Sequence, residues 1–255
     1  MSEGLNKKVT ILTTTHFKAS AHRLHKTYPA NHDRRFTHTN LIENTIKHLY
    51  KSINCVKLKH IISLDHDDND VGSNEYLKNL NELSEKYDNL EIIYTTKGIY
   101  YSIKNLIEEV DTDYYLWWEH DWKFVKNMDL NKLVDVMDKY ENINYIRFNK
   151  RKTVRANCDT NLWDVSKYKE INLTGTTGWS NNPYFGRKSK MMEWYDMMDN
   201  ETSNFHPTIE VILQDKMRED IRKLGLEEAE KKWGVFIYGK INDEKLVEHL
   251  NGRDK

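Results

Sequence analysis

The sequence predicts an α/β fold in which a mostly parallel sheet is flanked by helices and followed by a helical C-terminal region. Three observations support this fold class. Across residues 1–125, strand-like and helix-like segments alternate, as in a doubly wound sheet. The run Tyr114–Trp118 is apolar or aromatic throughout, as expected of a central strand covered on both faces. Most segments after residue 188 have helical patterns.

The composition limits the function classes. With 255 residues and a net charge of -1, the chain lacks the global basic field that nucleic-acid binding relies on, and we expect no nucleic-acid partner. Cys55 and Cys158 are too few for a disulfide scaffold or a thiolate zinc site, which favours a reducing, cytoplasmic location. No apolar run approaches the roughly 20 residues that cross a bilayer, so we expect a soluble, single-domain protein without a membrane span.

The first predicted elements are a strand, a helix and a second strand. Val9–Thr15 is rich in β-branched residues, which favour strands. After Thr39 or Asn40 as the cap, apolar residues as far as Tyr50 recur at the spacing of an amphipathic helix. Val56–Leu64 is the next apolar segment, and an acid-rich turn that begins at Asp65 follows it.

The basic segment between the first strand and the first helix contains five histidines. Their spacing matches no zinc pattern, so a zinc site is disfavoured. Arg34 and Arg35 are the better candidates for binding a phosphate, because guanidinium groups pair bidentately with phosphate oxygens.

The next elements continue the alternation as far as the apolar run. Asn74–Tyr87 is a predicted helix after the acid-rich turn, and Leu90–Tyr94 is a β-branched, aromatic strand that ends before the turn Thr95–Gly98. Tyr100–Val110 has apolar residues at helical spacing and leads into the strand at Tyr114–Trp118.

Two acids, Glu119 and Asp121, follow this central strand. Carboxylates at the carboxyl end of a parallel strand can hold a divalent cation through hard oxygen ligands, and ligands collect at that end of open α/β sheets. The alternative is a solvated acidic turn. The flanking Trp118 and Trp122 favour a functional site, since a loop that only meets water has little use for so much aromatic area.

The second half begins with the helix Leu130–Tyr140 and the strand Ile143–Phe148. The basic group Asn149–Lys152 follows; it could meet donor phosphates or the acceptor, or be a solvated strand end. Thr174–Tyr184 combines glycines, hydroxyls and aromatic rings without periodicity, which predicts a substrate-facing loop. Helical patterns then extend to residue 233, and a last strand is expected near the C-terminus; the predicted segments are Lys188–Asp199, Pro207–Leu224, Glu227–Trp233 and Trp233–Gly239.

The order of these pieces resembles that of GT-A type glycosyltransferases over most of the chain. The acidic motif Glu119-His120-Asp121 stands where that family keeps Asp-x-Asp. The small, lysine- and asparagine-rich form is also similar to glycosyltransferases of large DNA viruses and phages, which would place the protein in a host cytoplasm. The other matching parts are Val9–Thr15, Arg34, Arg35, Asp65, Lys97 and Gly98.

This resemblance implies that residues 1–125 bind a UDP-, GDP- or dTDP-sugar and that residues 126–255 bind a glycan acceptor. It also implies a Mn²⁺ or Mg²⁺ ion on Asp121, completed by Glu119 and the C-terminal His249. Because the first acid is Glu and the middle residue His, Asp121 is the firmer ligand, and Glu119 could contact ribose or water instead. The implied donor contacts are Thr13, Thr14, Thr15, Arg34, Arg35, Asp65, Lys97, Gly98, Glu119 and His120.

An inverting transfer needs a general base, which the family places near the start of a helix behind the acceptor site. Glu210 is the first candidate and Asp215 the second; the alternative for Glu210 is a first-turn acid that favours the helix dipole. A retaining transfer would need no such base. Trp179 and Tyr184 could offer flat faces to an acceptor sugar.

Two other functions compete with glycosyl transfer. A metal-dependent nucleotidyltransferase also uses acids at a strand end, although it normally gathers more carboxylates around two ions. A non-catalytic glycan-binding module would use the 7 tryptophans and 15 tyrosines as stacking surfaces.

Overall fold

The computed structural model describes residues 5, 8–16, 39–53, 57–66, 68–69, 71–95, 99–153, 162–201 and 209–250. These residues form a mixed α/β fold with one large sheet between two layers of helices. The fold class predicted from the alternating pattern is therefore confirmed.

Four strands and three helices alternate in the first half, close to their predicted bounds. The first helix has Thr39 at its N-cap position, but the Thr39 side chain makes no capping hydrogen bond. The elements are β1 (Val9–His16), α1 (Asn40–Ser52), β2 (His60–Asp65), α2 (Val71–Ser84), β3 (Leu90–Thr95), α3 (Ile99–Glu108) and β4 (Tyr114–Glu119).

The second half mixes short strands with helices, and the predicted helices and last strand are present. The elements are β5 (Trp122–Phe124), α4 (Leu130–Lys139), β6 (Tyr145–Arg147), β7 (Leu162–Val165), β8 (Leu173–Thr176), β9 (Tyr184–Arg187), α5 (Lys188–Glu201), α6 (Ile209–Leu224), α7 (Leu226–Trp233), β10 (Val235–Tyr238) and β11 (Val247–His249).

Among the described residues, nine strands form one sheet in the order β3-β2-β1-β4-β9-β6-β10-β8-β7. Strands β8 and β9 run against the other seven. The chain moves outward from β1 through β2 to β3 and then crosses back to place β4 on the other side of β1. A separate antiparallel pair joins β5 to β11.

Both faces of the sheet are buried, as the unbroken apolar run in β4 predicts. Tyr114, Leu116 and Trp118 pack into the core under α1, α2 and α4. Tyr115 and Trp117 point the other way, into the core under α3, α5, α6 and α7. Trp117 and Trp118 are thus core residues.

The prediction of a loop over Thr174–Tyr184 is wrong at both ends. Strand β8 covers Leu173–Thr176, and β9 begins at Tyr184. Both strands are buried, so they show no polar alternation, and β8 contains a glycine, which weakens a strand signal. Gly175 is required by close packing, because a Cβ there would lie 2.0 Å from the Trp163 ring.

No helix in the described part of the chain is both long enough and apolar enough to span a membrane.

A buried histidine links β1 to β2 below the end of the sheet. His60 Nε2 lies 2.8 Å from Thr13 Oγ1, and His60 Nδ1 lies 3.0 Å from the Tyr50 hydroxyl, which also accepts a hydrogen bond from Asn89. Burial lowers the pKa of His60 from 6.5 to about 3. His60 is therefore neutral in the folded protein across the usual working range of pH.

This burial predicts a loss of stability in mild acid. Below pH 6.5 the unfolded chain binds a proton at His60 that the folded chain does not, so the free energy of unfolding falls as the pH falls towards about 3. The His60 contribution to this loss between pH 7 and 5 is about 2 kcal/mol. We expect urea unfolding of His60→Gln to show a correspondingly flatter pH dependence, despite lower stability at pH 7. His48→Gln, which changes an exposed histidine of α1, is the matched control, and equal slopes in all three proteins would contradict the prediction.

Candidate functional site

The candidate site lies at the carboxyl ends of β1 and β4. Thr14 of β1 pairs with Glu119 of β4, and the next residues, His120 and Asp121, form the turn into β5. The strand order reverses between β1 and β4, and open α/β sheets form their ligand crevice at such a point. The turn is held from α1, where the Thr45 hydroxyl donates to the His120 carbonyl at 2.6 Å.

The C-terminal strand β11 brings His249 onto this turn. His249 pairs with Trp122 of β5, and the Leu250 amide donates to the Asp121 carbonyl at 2.7 Å. Nδ1 of His249 then lies 3.3 Å from Oδ2 of Asp121. Both side chains are buried, with exposed fractions of 7% for His249 and 3% for Asp121. Two of the three predicted metal ligands are therefore adjacent although they are far apart in sequence.

Trp122 contacts the two ligand candidates other than Asp121, which are Glu119 and His249. Its indole Nε1 donates to Oε2 of Glu119 at 3.0 Å, and its ring centroid lies 3.7 Å from that of His249. Trp118 fixes the Trp122 backbone by donating from its own indole to the Trp122 carbonyl at 3.1 Å. The two tryptophans that flank the acidic motif thus orient its side chains.

Helix α6 adds Glu210 to the same site. Oε1 of Glu210 accepts hydrogen bonds from the Asn181 amide at 2.6 Å and from the Ser180 hydroxyl at 3.1 Å. These bonds hold one carboxylate oxygen against the segment before β9. The other oxygen, Oε2, has no hydrogen-bonding partner among the described residues, so it can accept a proton or a hydrogen bond from a ligand.

Glu119, Trp122, Glu210 and His249 line a cavity of about 240 Å³, whereas the buried Asp121 is not among its lining residues. Burial raises the pKa of Glu119 to about 7, and the charges of Asp121 and Glu210 act in the same direction. The indole hydrogen bond from Trp122 and the nearby His249 oppose that rise. The cavity is lined by Glu119, Trp122, Lys150, Arg151, Asn181, Asn182, Glu210 and His249.

Two larger cavities lie elsewhere, and neither is at the carboxyl ends of the parallel strands. One of about 710 Å³ is lined entirely by residues of α6. The other, of about 500 Å³, lies at the opposite end of β4, where Asp138 already bonds to Lys8 and Tyr114. Volume alone therefore does not identify the site, whereas the convergence of carboxylates at the strand ends does.

The donor set fits a hard divalent cation. Adjacent ligands of an octahedral ion at about 2.1 Å are separated by about 3.0 Å, close to the 3.3 Å between Nδ1 of His249 and Oδ2 of Asp121. Within the described ranges, no group of three or more His, Cys, Asp or Glu side chains could hold a metal ion, so the pair His249 and Asp121 would supply only two ligands. Such a site suits an ion that takes its remaining ligands from a substrate phosphate.

The other predicted donor contacts lie at the ends of the neighbouring strands, and they differ in how far they are buried. Thr13 and Thr15 are buried and bond to His60 and Tyr76, so their hydroxyls face the helix layer of α1 and α2. The Thr14 carbonyl lies 3.4 Å from Nδ1 of His120. Asp65 ends β2, next to β1, and is partly buried. Arg34, Arg35, Lys97 and Gly98 lie outside the described residues.

Three predicted site residues do not line the cavity. Trp179 and Tyr184 each have an exposed fraction of 1%, and their rings pack around Tyr145 in the core. Neither ring face is therefore open to an acceptor sugar. Asp215 is exposed on α6 and pairs with Arg218 at 3.3 Å, one helical turn and a half beyond Glu210.

Several residues that line the cavity had only weak signals in the sequence. Lys150 and Arg151 belong to the basic group after β6, for which a solvated strand end was the preferred interpretation. Asn181 and Asn182 belong to the segment predicted to face the substrate, and Oδ1 of Asn181 is buried without a hydrogen-bonding partner among the described residues. Long-range contacts with α6 and β11 bring these residues to the acids, and no local pattern encodes such contacts.

No family model matches this chain, and no curated protein matches it in sequence. Similar solved structures do exist. The 4-diphosphocytidyl-2C-methyl-D-erythritol synthase of Anaerococcus prevotii is 12% identical, with a TM-score of 0.50 over 94% of this chain and 92% of that one. At this identity the likeness shows the fold alone, and it agrees with the predicted GT-A (Rossmann-like) fold class.

Two glycosyltransferase-related structures are also similar, with TM-scores below 0.5. Residues 1–349 of Staphylococcus aureus TarS are 10% identical, with a TM-score of 0.48 over 94% of this chain and 59% of that one. The mannosyltransferase PcManGT of Pyrobaculum calidifontis, in complex with GDP-Man and Mn²⁺, is 10% identical, with a TM-score of 0.44 over 73% of this chain and 46% of that one. The expected viral or phage origin stays a prediction.

Trp122 should control metal affinity through Glu119 without being a ligand. Trp122→Phe removes the indole donor to Oε2 of Glu119 but keeps an aromatic ring beside His249. Because losing a partner that orients a metal ligand typically costs about 10–100-fold in affinity, we expect a loss of that size in Mn²⁺ binding with a nucleoside diphosphate present. Isothermal titration calorimetry measures it.

Trp163→Phe is the matched control for this measurement. It removes an indole hydrogen bond to another carboxylate, Glu230, on the far edge of the sheet. Equal Mn²⁺ affinities in Trp122→Phe, Trp163→Phe and the wild type would show that Trp122 has no part in metal binding.

Proposed function

We propose that this chain is a metal-dependent glycosyltransferase that moves a sugar from a nucleoside-diphosphate donor to a glycan hydroxyl, with inversion of configuration. The observation that carries the proposal is that Glu119, His249 and Glu210 line one cavity at the reversal point of the sheet, with Asp121 buried against His249. These residues come from β4, the turn after it, β11 and α6, so the fold gathers them from distant parts of the chain.

Asp121 and His249 would hold a Mn²⁺ or Mg²⁺ ion, with Glu119 completing the site or contacting the donor. A bound ion of this kind supplies a Lewis acid that neutralises charge on a departing diphosphate. The chain's own part is to fix these ligands. Asp121 is fixed by the bond from Leu250 to its backbone, and Glu119 by the indole of Trp122.

The nucleotide would occupy the ends of β1 to β3. Asp65, at the end of β2, is placed to accept hydrogen bonds from a base or a ribose. Arg34, Arg35, Lys97 and Gly98 belong to this half of the site by their resemblance to the family. UDP-, GDP- and dTDP-sugars are the candidate donors.

Glu210 would act as the general base. As the acceptor oxygen forms its bond to the anomeric carbon and the bond to the diphosphate breaks, the acceptor proton passes to the carboxylate. Oε1 of Glu210 is held by Asn181 and Ser180, which fixes the side chain and leaves Oε2 for the proton. The alternative role, a first-turn acid on α6, would stabilise the helix by only about 0.3–1 kcal/mol.

The two competing functions make different predictions about products and binding. A nucleotidyltransferase would release pyrophosphate, whereas the proposed reaction releases a nucleoside diphosphate. A glycan-binding module would bind sugar without metal or nucleotide; the burial of Trp179 and Tyr184 removes two of the stacking faces it would use.

A thermal-shift screen of UDP-, GDP- and dTDP-sugars, each with and without Mn²⁺, is the direct test. A donor that binds only the folded state raises the melting temperature by mass action, and we expect the rise to require the metal. If no nucleotide sugar shifts the melting temperature under either condition, the proposed donor site is wrong.

The carboxylate of Asp121 should be indispensable for metal-dependent turnover. Asp121→Asn keeps the size of the side chain but removes the negative charge, and we expect at least about a hundredfold loss of nucleoside-diphosphate release, with the fold retained. Glu248→Gln is the control, because Glu248 neighbours His249 in β11 but pairs with Lys123 and Lys245 instead. Normal Mn²⁺-dependent turnover in Asp121→Asn would rule out the proposed metal site.

The catalytic roles of Glu210 and Asp215, which lie on the same helix, can be tested separately. Glu210→Gln preserves an acceptor for Asn181 and Ser180 but cannot take a proton, so kcat should fall by about 10²–10⁴-fold while donor affinity changes less than about twofold. Asp215→Asn should leave both quantities unchanged. A lower melting temperature with unchanged kcat in Glu210→Gln would instead assign Glu210 a structural role.

A further inference from the structure

Two basic residues that line the cavity lack the carboxylate partners that their neighbours have. Lys152 pairs with Glu244 at 3.3 Å, and Lys123 pairs with Glu248 at 2.9 Å. Lys150 and Arg151 line the cavity itself, yet neither has an ion-pair partner among the described residues. In the described part of the chain, these two cavity-lining cations are thus outside the ion pairs that hold their neighbours.

The turn that carries these two residues is held in place. The Asn149 side chain donates to the Arg151 carbonyl at 2.8 Å and to the Thr153 hydroxyl at 2.8 Å, while the Leu246 amide donates to the Asn149 carbonyl at 2.8 Å. The Lys150 ammonium also lies 5.7 Å from the centroid of the Trp122 ring, within the range of a cation–π contact. The turn is therefore anchored beside the ring that packs on His249.

The sheet order places this turn away from the nucleotide half. Lys150 and Arg151 follow β6, which is separated from β4 by β9, whereas β1, β2 and β3 lie on the other side of β4. At about 4.8 Å per strand, β6 lies about 10 Å from β4 across the sheet. A donor whose nucleotide lies on β1 to β3 and whose diphosphate reaches β4 has its sugar and the acceptor on this far side.

We propose that the acceptor is anionic and that Lys150 and Arg151 bind an oxyanion, a phosphate or a carboxylate, close to the hydroxyl that receives the sugar. This assignment rests on the proposed function. A guanidinium group and an ammonium group together match such an anion, since the first pairs bidentately with two oxygens and the second adds a point charge. They also offset the repulsion that Glu119 and Glu210 would exert on an acidic acceptor across a cavity of about 240 Å³.

The test uses sn-glycerol 3-phosphate as a phosphate-bearing alcohol and glycerol as its neutral counterpart. Binding is measured by calorimetry on the full chain saturated with Mn²⁺ and with whichever of UDP, GDP or dTDP stabilises it most. We expect sn-glycerol 3-phosphate to bind at least tenfold more tightly than glycerol. In the double variant Lys150→Gln/Arg151→Gln this preference should fall at least tenfold, with the nucleoside diphosphate still bound within about twofold of wild type. Lys152→Gln, whose lysine is already paired, is the matched control and should behave like wild type.

Each other outcome overturns the assignment. If the double variant loses nucleoside-diphosphate affinity and keeps the preference for sn-glycerol 3-phosphate, the two cations serve the donor. If the phosphate gives no preference over glycerol in the wild type, the acceptor site does not select an anion. Mn²⁺-dependent nucleotide binding, measured in the same proteins, reports separately on the proposed function, so that its failure is not confused with failure of the anion site.

Discussion

The pairing of β11 with β5 is the constraint on which the candidate site depends. Acids at the end of a single strand would point into water, where a cation binds weakly. Here the hydrogen bond from Leu250 to the Asp121 carbonyl draws the C-terminal part of the chain over the acidic turn and sets His249 against Asp121. Trp122 lies at the centre of this arrangement, since its backbone pairs with β11 and its indole bonds to Glu119. The site therefore forms only when β5 and β11 pair with each other outside the main sheet.

The electrostatic cost of this assembly is visible in Glu119. Burial raises the pKa of Glu119 to about 7, and the nearby charges of Asp121 and Glu210 add to that rise. Carboxylates held close together despite their repulsion are typical of a cation-binding site. Shifted pKa values of this kind cluster at functional sites. Lys123 and Lys245 do not relieve this repulsion, because both pair with Glu248. A bound cation would relieve the repulsion between Glu119 and Asp121.

Local sequence patterns predicted the parts of the fold that local physics determines. The alternation of β1 to β4 with α1 to α3 follows from hydrophobic periodicity, and the burial of β4 on both faces follows from its unbroken apolar run. The acids at the end of β4 were found in the same way. Sequence reasoning failed for Trp179 and Tyr184, because an aromatic residue in a glycine-rich segment can pack inward or outward with equal local propensity. Packing around Tyr145, which is distant in sequence, decides that question.

The strand directions in the two halves of the sheet account for the positions of the carboxylates and of the cations. Strands β1 to β4 are parallel neighbours, so their carboxyl ends form one continuous edge at which Asp65, Glu119 and Asp121 collect. Beyond β4 the antiparallel β9 interrupts that edge, and the next carboxyl end belongs to β6 and carries Lys150 and Arg151. A substrate that spans the edge therefore meets carboxylates first and cations second. A divalent ion would offset the charges of Glu119 and Asp121, so that the cations Lys150 and Arg151 would give this part of the edge a net positive charge that suits an anionic substrate.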